Sequence, residues 1–263
     1  MNILDTIVKR KREEVAIRKS MVNESQLVKS EGFERTCYSF SDYIVNPAKS
    51  GIIAEFKRKS PSKPNINLQA DVEKVTFGYS LAGASALSVL TDIDFFGGSD
   101  SDLQKVRALN TIPILRKDFV IDPYQIIEAK SLGADAILLI AEILTKAQMD
   151  ELSKVAVECG LEVLMEIHTA DQIAKYHERI RNIGVNNRNL KTFTADIRYS
   201  KEIFPQLPSE TIKISESGID DPKSVVDLKL MGYQGFLIGE NFMKTEDPGL
   251  ALAAFIQQIN TLK

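Results

Sequence analysis

The chain has 263 residues, 44% of them hydrophobic and 26% charged, with a formal net charge of -3. That is ample apolar material for one large domain, which excludes a disordered chain, and it leaves no positive excess to hold nucleic acid or an anionic membrane. A small molecule is therefore the expected partner, and a monomer is expected in preference to an obligate oligomer. No apolar run nears the ~20 residues that cross a bilayer. Residues 1–20 carry Lys9, Arg10, Lys11, Arg12, Glu13 and Glu14, too much charge for a secretory leader, so a cytoplasmic location is expected. Cys37 and Cys159 lack C-x-x-C spacing and read as reduced thiols. Two histidines, His168 and His177, argue against zinc and leave carboxylate-held magnesium open.

In chain order, residues 1–48 come first, with Ile3, Leu4, Ile7 and Val8 at helical spacing, and read as a helical extension packed on the rest of the chain. Apolar runs then predict eight short strands at 52–57, 86–91, 112–117, 136–140, 162–166, 183–186, 212–216 and 235–238. Amphipathic stretches at 71–82, 123–132, 146–158, 221–231 and 248–259 predict helices between and after them. Gly83, Gly133, Gly160 and Gly232 each stand a few residues ahead of an apolar run, at the left-handed position that ends a helix. Eight βα units in a row predict an all-parallel sheet, and eight favour closure: a single α/β domain over 1–263, a (β/α)8 barrel with an N-terminal helical extension. An open doubly wound sheet is the alternative, but the early Gly-x-Gly-x-x-Gly turn it calls for is absent.

In such barrels the chemistry sits where strands end in carboxyl-side loops. Side chains alternate along a strand, so Ile53, Glu55 and Lys57 share one face of the first strand, while Ile52, Ala54 and Phe56 share the other. If the apolar set faces the helices, Glu55 and Lys57 point into the mouth. The same parity puts Lys117, Glu166, Asn186 and Glu216 at the ends of strands three, five, six and seven. One charged residue at a strand end marks a solvent boundary; six polar groups on one rim suit proton transfer with electrostatic stabilisation. Strands seven and eight leave through Ser217-Gly218 and Gly239-Glu240 ahead of predicted helices, where backbone N–H groups can cradle a phosphate. The basic run 57–64 reads as a loop that is solvated for the most part and suited to be a lid. His168, two positions after Glu166, can touch the site but reads first as an ordinary hydrogen-bonded histidine, and Phe96 and Phe119 read as packing or as a platform for a substrate ring.

The segments Ala54-Glu55-Phe56-Lys57-Arg58-Lys59-Ser60-Pro61-Ser62, Leu87-Ser88-Val89-Leu90-Thr91-Asp92, Phe95-Phe96-Gly97-Gly98-Ser99, Pro113-Ile114-Leu115-Arg116-Lys117-Asp118-Phe119, Gly184-Val185-Asn186-Asn187-Arg188-Asn189-Leu190 and Ser215-Glu216-Ser217-Gly218-Ile219 together resemble the indole-3-glycerol phosphate synthase family. The resemblance spans nearly the whole chain. It implies ring closure of 1-(2-carboxyphenylamino)-1-deoxyribulose 5-phosphate with loss of carbon dioxide and water, and no cofactor. It also implies Lys117 as general acid, Glu166 as the partner for dehydration, and Lys57 as second donor or electrostatic anchor. Glu55, Asn186 and Glu216 match orienting positions. Ser60, with Lys57 and Arg188, matches the receiver of the anthranilate carboxylate. Ser217, Gly218, Gly239 and Glu240 match the phosphate pocket, the last through its N–H with the carboxylate turned away, and Phe96, Phe119, Leu138, Leu190 and Leu237 match an apolar bed. Pro64, the run Leu68-Gln69-Ala70-Asp71 and Arg116 depart from the family pattern. The rival readings are another sugar-phosphate barrel, such as an isomerase or a Schiff-base aldolase using Lys117, and a non-catalytic phosphate-binding barrel.

Overall fold

A computed structural model of the chain describes residues 3–189 and 193–262. The extension folds as α1 (Ile3–Met21), α2 (Glu24–Leu27), α3 (Glu31–Glu34) and α4 (Phe40–Val45). The barrel then runs β1 (Ile52–Phe56), α5 (Val72–Leu81), β2 (Ala86–Leu90), α6 (Asp100–Leu109), β3 (Ile114–Lys117), α7 (Pro123–Ser131) and β4 (Ala136–Ile140). It continues with α8 (Lys146–Glu158), β5 (Glu162–Ile167), β6 (Asn182–Asn186), α9 (Arg198–Ile203), β7 (Ile212–Glu216), α10 (Pro222–Met231), β8 (Gly235–Ile238), α11 (Glu240–Met243) and α12 (Pro248–Thr261). The eight strands close in sequence order, every neighbouring pair parallel and β1 against β8.

Local chemistry explains the element ends. α7, α10 and α12 each start with an Asp-Pro pair, in which Asp122, Asp221 or Asp247 accepts a backbone N–H of the first turn and the proline presets the helical φ. Gly83, Gly133, Gly160 and Gly232 all take the left-handed conformation, with φ between +72° and +118°. Strand ends differ from expectation by a residue or two. β3 starts at Ile114 because Pro113 has no N–H to pair, although its carbonyl still accepts from Leu87. β1 stops at Phe56, β2 at Leu90, and β5 continues to Ile167. Between β5 and β6 the chain makes a 3-10 helix, Ala170–Lys175, in place of an α-helix.

The core has two layers, as strand parity requires. Ile52, Ala54, Phe56, Leu87 and Val89 pack outward under the helices, while Ile53, Ala86, Leu115, Leu138, Leu164, Ile214 and Leu237 fill the barrel. α4 plugs the amino end, adding Phe40 and Ile44 to the inner layer. Ser39 Oγ and the Ser41 N–H donate to the Glu162 carboxylate at the start of β5, at 2.8 and 3.1 Å. α1 is pinned near the opposite end by Lys11, 1% exposed, whose ammonium meets Asp92 at 3.1 Å, Asp118 at 2.9 Å and Glu14 at 2.8 Å.

Candidate active site

The carboxyl ends of the strands surround one cavity of about 470 Å3. Glu55, Lys57, Lys117, Glu166 and Asn186 line it, and Glu216 lies just beneath, fully buried and bonded to Lys117. Lys117 Nζ donates to Glu166 Oε2 at 3.1 Å and to Glu216 Oε2 at 2.6 Å. Lys57 Nζ donates to Glu55 Oε1 at 2.5 Å. The Asn186 side chain hydrogen-bonds Glu166 and accepts the Arg188 N–H at 3.0 Å. Six groups drawn from five strands thus meet, because odd positions of β1 and β3 and the matching positions of β5, β6 and β7 all face inward.

Two glycines clear the space for these carboxylates. A Cβ on Gly184 would collide with Glu216 Oε1, and one on Gly239 would stand 2.6 Å from Glu55 Oε1. In each case a neighbouring strand or loop gives up its side chain so that an acidic one can occupy the space.

Burial sets the charge states. Desolvation by itself would lower the Lys117 pKa, but Glu216, Glu166 and Glu55 more than offset it and raise it, so Lys117 stays an ammonium. Burial likewise works against an ionised Glu166, yet Lys117 and then His168 hold that carboxyl down to about 2. For Glu216 burial wins, and Glu166 adds to it, pushing the carboxyl up to about 8 despite the ammonium only 2.6 Å away. One ammonium cannot neutralise two buried carboxylates, and the deeper one, whose Oε1 has no partner among the described residues, keeps the proton.

Above this cluster lies an apolar slot. The rings of Phe96 and Phe119 are 5.9 Å apart, and both line the cavity with Leu138 and Leu237. Leu190 lies outside the described residues. α1 adds Ile3, Leu4 and Ile7 to the same wall. On the far side Ser217, Gly218, Gly239 and Glu240 edge the cavity. Ser217 and Gly218 both have positive φ, 68° and 71°, a costly conformation for a serine.

The rim loops are tied down. Arg58 grips Asp102 with two bonds, 2.6 and 3.1 Å, and Lys59 donates to the Asp94 carbonyl at 2.8 Å, so the 57–64 loop is not the solvated string its composition suggests. Ser60 and Lys63 close a tight turn through reciprocal N–H to carbonyl bonds of 2.8 and 3.0 Å. The Glu240 carboxylate pairs with Lys63 and sits 3.6 Å from Arg188 across the mouth. Burial disfavours its charge, but these two cations hold its carboxyl below the usual range. Arg188, in turn, donates to the Phe193 carbonyl at 2.8 Å.

A family model described as indole-3-glycerol phosphate synthase matches residues 4–255. The chain belongs to that family. A relative named indole-3-glycerol phosphate synthase from Bacteroides thetaiotaomicron is 48% identical over 98% of this chain and 99% of its own. Relatives of the same name from Magnetococcus marinus and Bordetella pertussis are 41% and 39% identical, each over 97% of this chain and 98% or 99% of their own. Among solved structures, that of KGPDC from Streptococcus mutans superposes with a TM-score of 0.59 at 13% identity, covering 80% of this chain and 97% of that one, a likeness of fold alone.

Arg116, which departs from the indole-3-glycerol phosphate synthase pattern, faces outward from β3 by parity and never meets the cavity. It is 1% exposed and bonds Thr91, the Gln125 carbonyl, Asp100 and Glu128. Sequence reasoning missed Ile3, Leu4 and Ile7, since nothing in a helical spacing says which wall the helix will close. It also missed Lys63 and Lys244 on the rim. His168 lines the cavity, as its spacing from Glu166 allowed, and the ordinary hydrogen bond expected of it is corrected: neither ring nitrogen has a hydrogen-bond partner among the described residues.

Proposed function

We propose that this chain closes the indole ring of 1-(2-carboxyphenylamino)-1-deoxyribulose 5-phosphate, releasing one carbon dioxide and one water to give indole-3-glycerol phosphate. The observation that carries the reading is the buried Lys117 ammonium held between Glu166 and Glu216 at the floor of a cavity that has an apolar slot on one side and a glycine-lined seat on the other.

In this reading the aryl ring of the substrate lies on the apolar bed of Phe96, Phe119, Leu138, Leu237 and, by the family pattern, Leu190. Its carboxylate meets Ser60, Lys57 and Arg188. Its phosphate takes the backbone N–H groups of Ser217, Gly218, Gly239 and Glu240, while the Glu240 carboxylate is kept off the phosphate by Lys63 and Arg188. Lys117 protonates the ribulose carbonyl oxygen as the ring carbon attacks C2. Carbon dioxide then leaves and restores the electrons to the ring. Glu166 takes the proton lost in dehydration, with Lys57 assisting the departing hydroxyl and Glu55, Asn186 and Glu216 orienting the donors.

The same chemistry speaks against a Schiff-base aldolase. A lysine nucleophile needs a depressed pKa, and three carboxyls raise that of Lys117. Every assigned side chain comes from one barrel, which supports a monomer acting on a small phosphorylated molecule without a cofactor. No helix among the described residues is long and apolar enough to cross a membrane, and both cysteines are free, features that fit a cytoplasmic enzyme.

The reading is tested by Lys117→Ala and Glu166→Gln. Each is expected to lower kcat by about 10^2-fold or more, the usual range for a proton-transfer group, while affinity for inorganic phosphate is kept. Unchanged turnover in either variant contradicts the roles assigned.

A further inference from the structure

His168 is the one histidine on the cavity wall, and the roles above do not use it. It stands two positions after Glu166 at the end of β5, so both side chains leave the strand on the same face. Its backbone is clamped from two sides: the N–H donates to Gln172 Oε1 at 2.8 Å, and the carbonyl accepts from the Tyr199 hydroxyl. Gln172 is itself buried and bonded to Glu142. The imidazole therefore has a fixed point of departure, and its side chain is only 8% exposed.

Within that burial the ring is left unpaired. Nε2 lies 3.4 Å from Glu166 Oε1, near but not in hydrogen-bond geometry, and neither ring nitrogen has a partner among the described residues. Burying two polar atoms without return costs stability, so packing alone does not account for a histidine here. Glu166 is asymmetric in the complementary way. Its Oε2 is committed to Lys117 at 3.1 Å and the Asn186 side chain also bonds the carboxylate, while Oε1 lies toward the imidazole.

We propose that His168 is a positioning residue for Glu166: in the substrate complex its Nε2–H donates to Oε1, fixing the carboxylate so that the remaining lone pair of that oxygen faces the carbon that loses its proton in dehydration. This rests on the reading of Glu166 given above. The imidazole gains and loses no proton in the cycle; the proton goes to Glu166 and leaves with water. Catalytic contacts that are long in the free enzyme commonly tighten once substrate is bound, and 3.4 Å needs only a small closure.

The test uses the full chain and three substitutions, read as kcat and KM with carboxyphenylamino-deoxyribulose phosphate. His168→Gln carries an amide N–H at the reach of Nε2; His168→Asn carries one at the reach of Nδ1 only; His168→Leu carries none. We expect kcat to fall about tenfold or more in the Leu and Asn variants, as for loss of one hydrogen bond to a charged group, with KM within about twofold, and the Gln variant to recover most of it. In a Glu166→Gln background, His168→Leu should add almost no further loss, because two residues acting as a unit are not additive. Equal kcat in the Gln and Asn variants, both polar and both expected to fold, overturns the proposal, and so does a His168→Leu loss that multiplies in full with that of Glu166→Gln. Wild-type chain that yields no indole product overturns the assigned reaction and this role together; active wild type with indifferent His168 variants overturns only this role.

Discussion

Lys117 and Glu216 illustrate how far a single residue can be read. Parity along β1 pointed Glu55 and Lys57 inward once its apolar set, Ile52, Ala54 and Phe56, was placed against the helices; on β3 parity only set Lys117 and Arg116 on opposite faces, and the structure shows which of the two meets the cavity. The charge states were not legible, because they depend on distances across the barrel: Lys117 to Glu216 joins positions 99 apart in sequence. Nor was the role of Gly184, whose missing side chain matters only because the Glu216 carboxyl of the next strand occupies its place. Gly184→Ala should push Glu216 off its seat and loosen Lys117; we expect a loss of about 1–3 kcal/mol in urea unfolding, typical of overpacking, together with a kcat at least about tenfold lower. An alanine variant with wild-type turnover would show that Glu216 need not lie where it does.

At the scale of elements, the strands were legible because a parallel strand covered on both faces is a short unbroken apolar run, and the helices because Asp-Pro starts and glycine stops frame them. What the pattern hid was the destination of α1. Its spacing marks an apolar face without saying that Leu4 and Ile7 reach the cavity, and its basic run gives no sign that Lys11 is buried between Asp92 and Asp118. Burial would lower the Lys11 pKa, but Asp118, Asp92 and Glu14 outweigh it and raise it; in return Lys11 and Arg116 hold Asp118 down to about 2 against its own desolvation. Lys11→Met leaves two buried carboxylates short of a partner. We expect a loss of roughly 3–5 kcal/mol in chemical unfolding, the range for breaking one side of a buried pair, and a raised KM as α1 loosens from the wall beside Phe119.

For the whole molecule, the closed barrel came from counting βα units, and its closure in sequence order is what brings positions 55 through 240 to one rim. The same closure buries charge, which ties stability to pH. The Glu216 carboxyl is raised from 4.5 to about 8, so the folded chain binds a proton that the unfolded chain releases, and stability is lost as pH rises through that window. Glu166 has the opposite sign: lowered from 4.5 to about 2, it contributes stability above 4.5 that is lost as pH falls toward 2. In thermal melts from about pH 5 to 8, Glu216→Gln should therefore lose less stability than wild type over the same interval. Parallel pH profiles would mean that Glu216 is ionised throughout.

Residue, strand and barrel converge on one claim: the cavity closes a ring over a protonated lysine. Purified chain mixed with 1-(2-carboxyphenylamino)-1-deoxyribulose 5-phosphate, monitored by indole absorbance with carbon dioxide counted in the same vessel, tests it most directly. Equal amounts of indole product and carbon dioxide are expected, with no lysine adduct trapped by borohydride. Carbon dioxide without indole, or a borohydride-trapped adduct on Lys117, would contradict it.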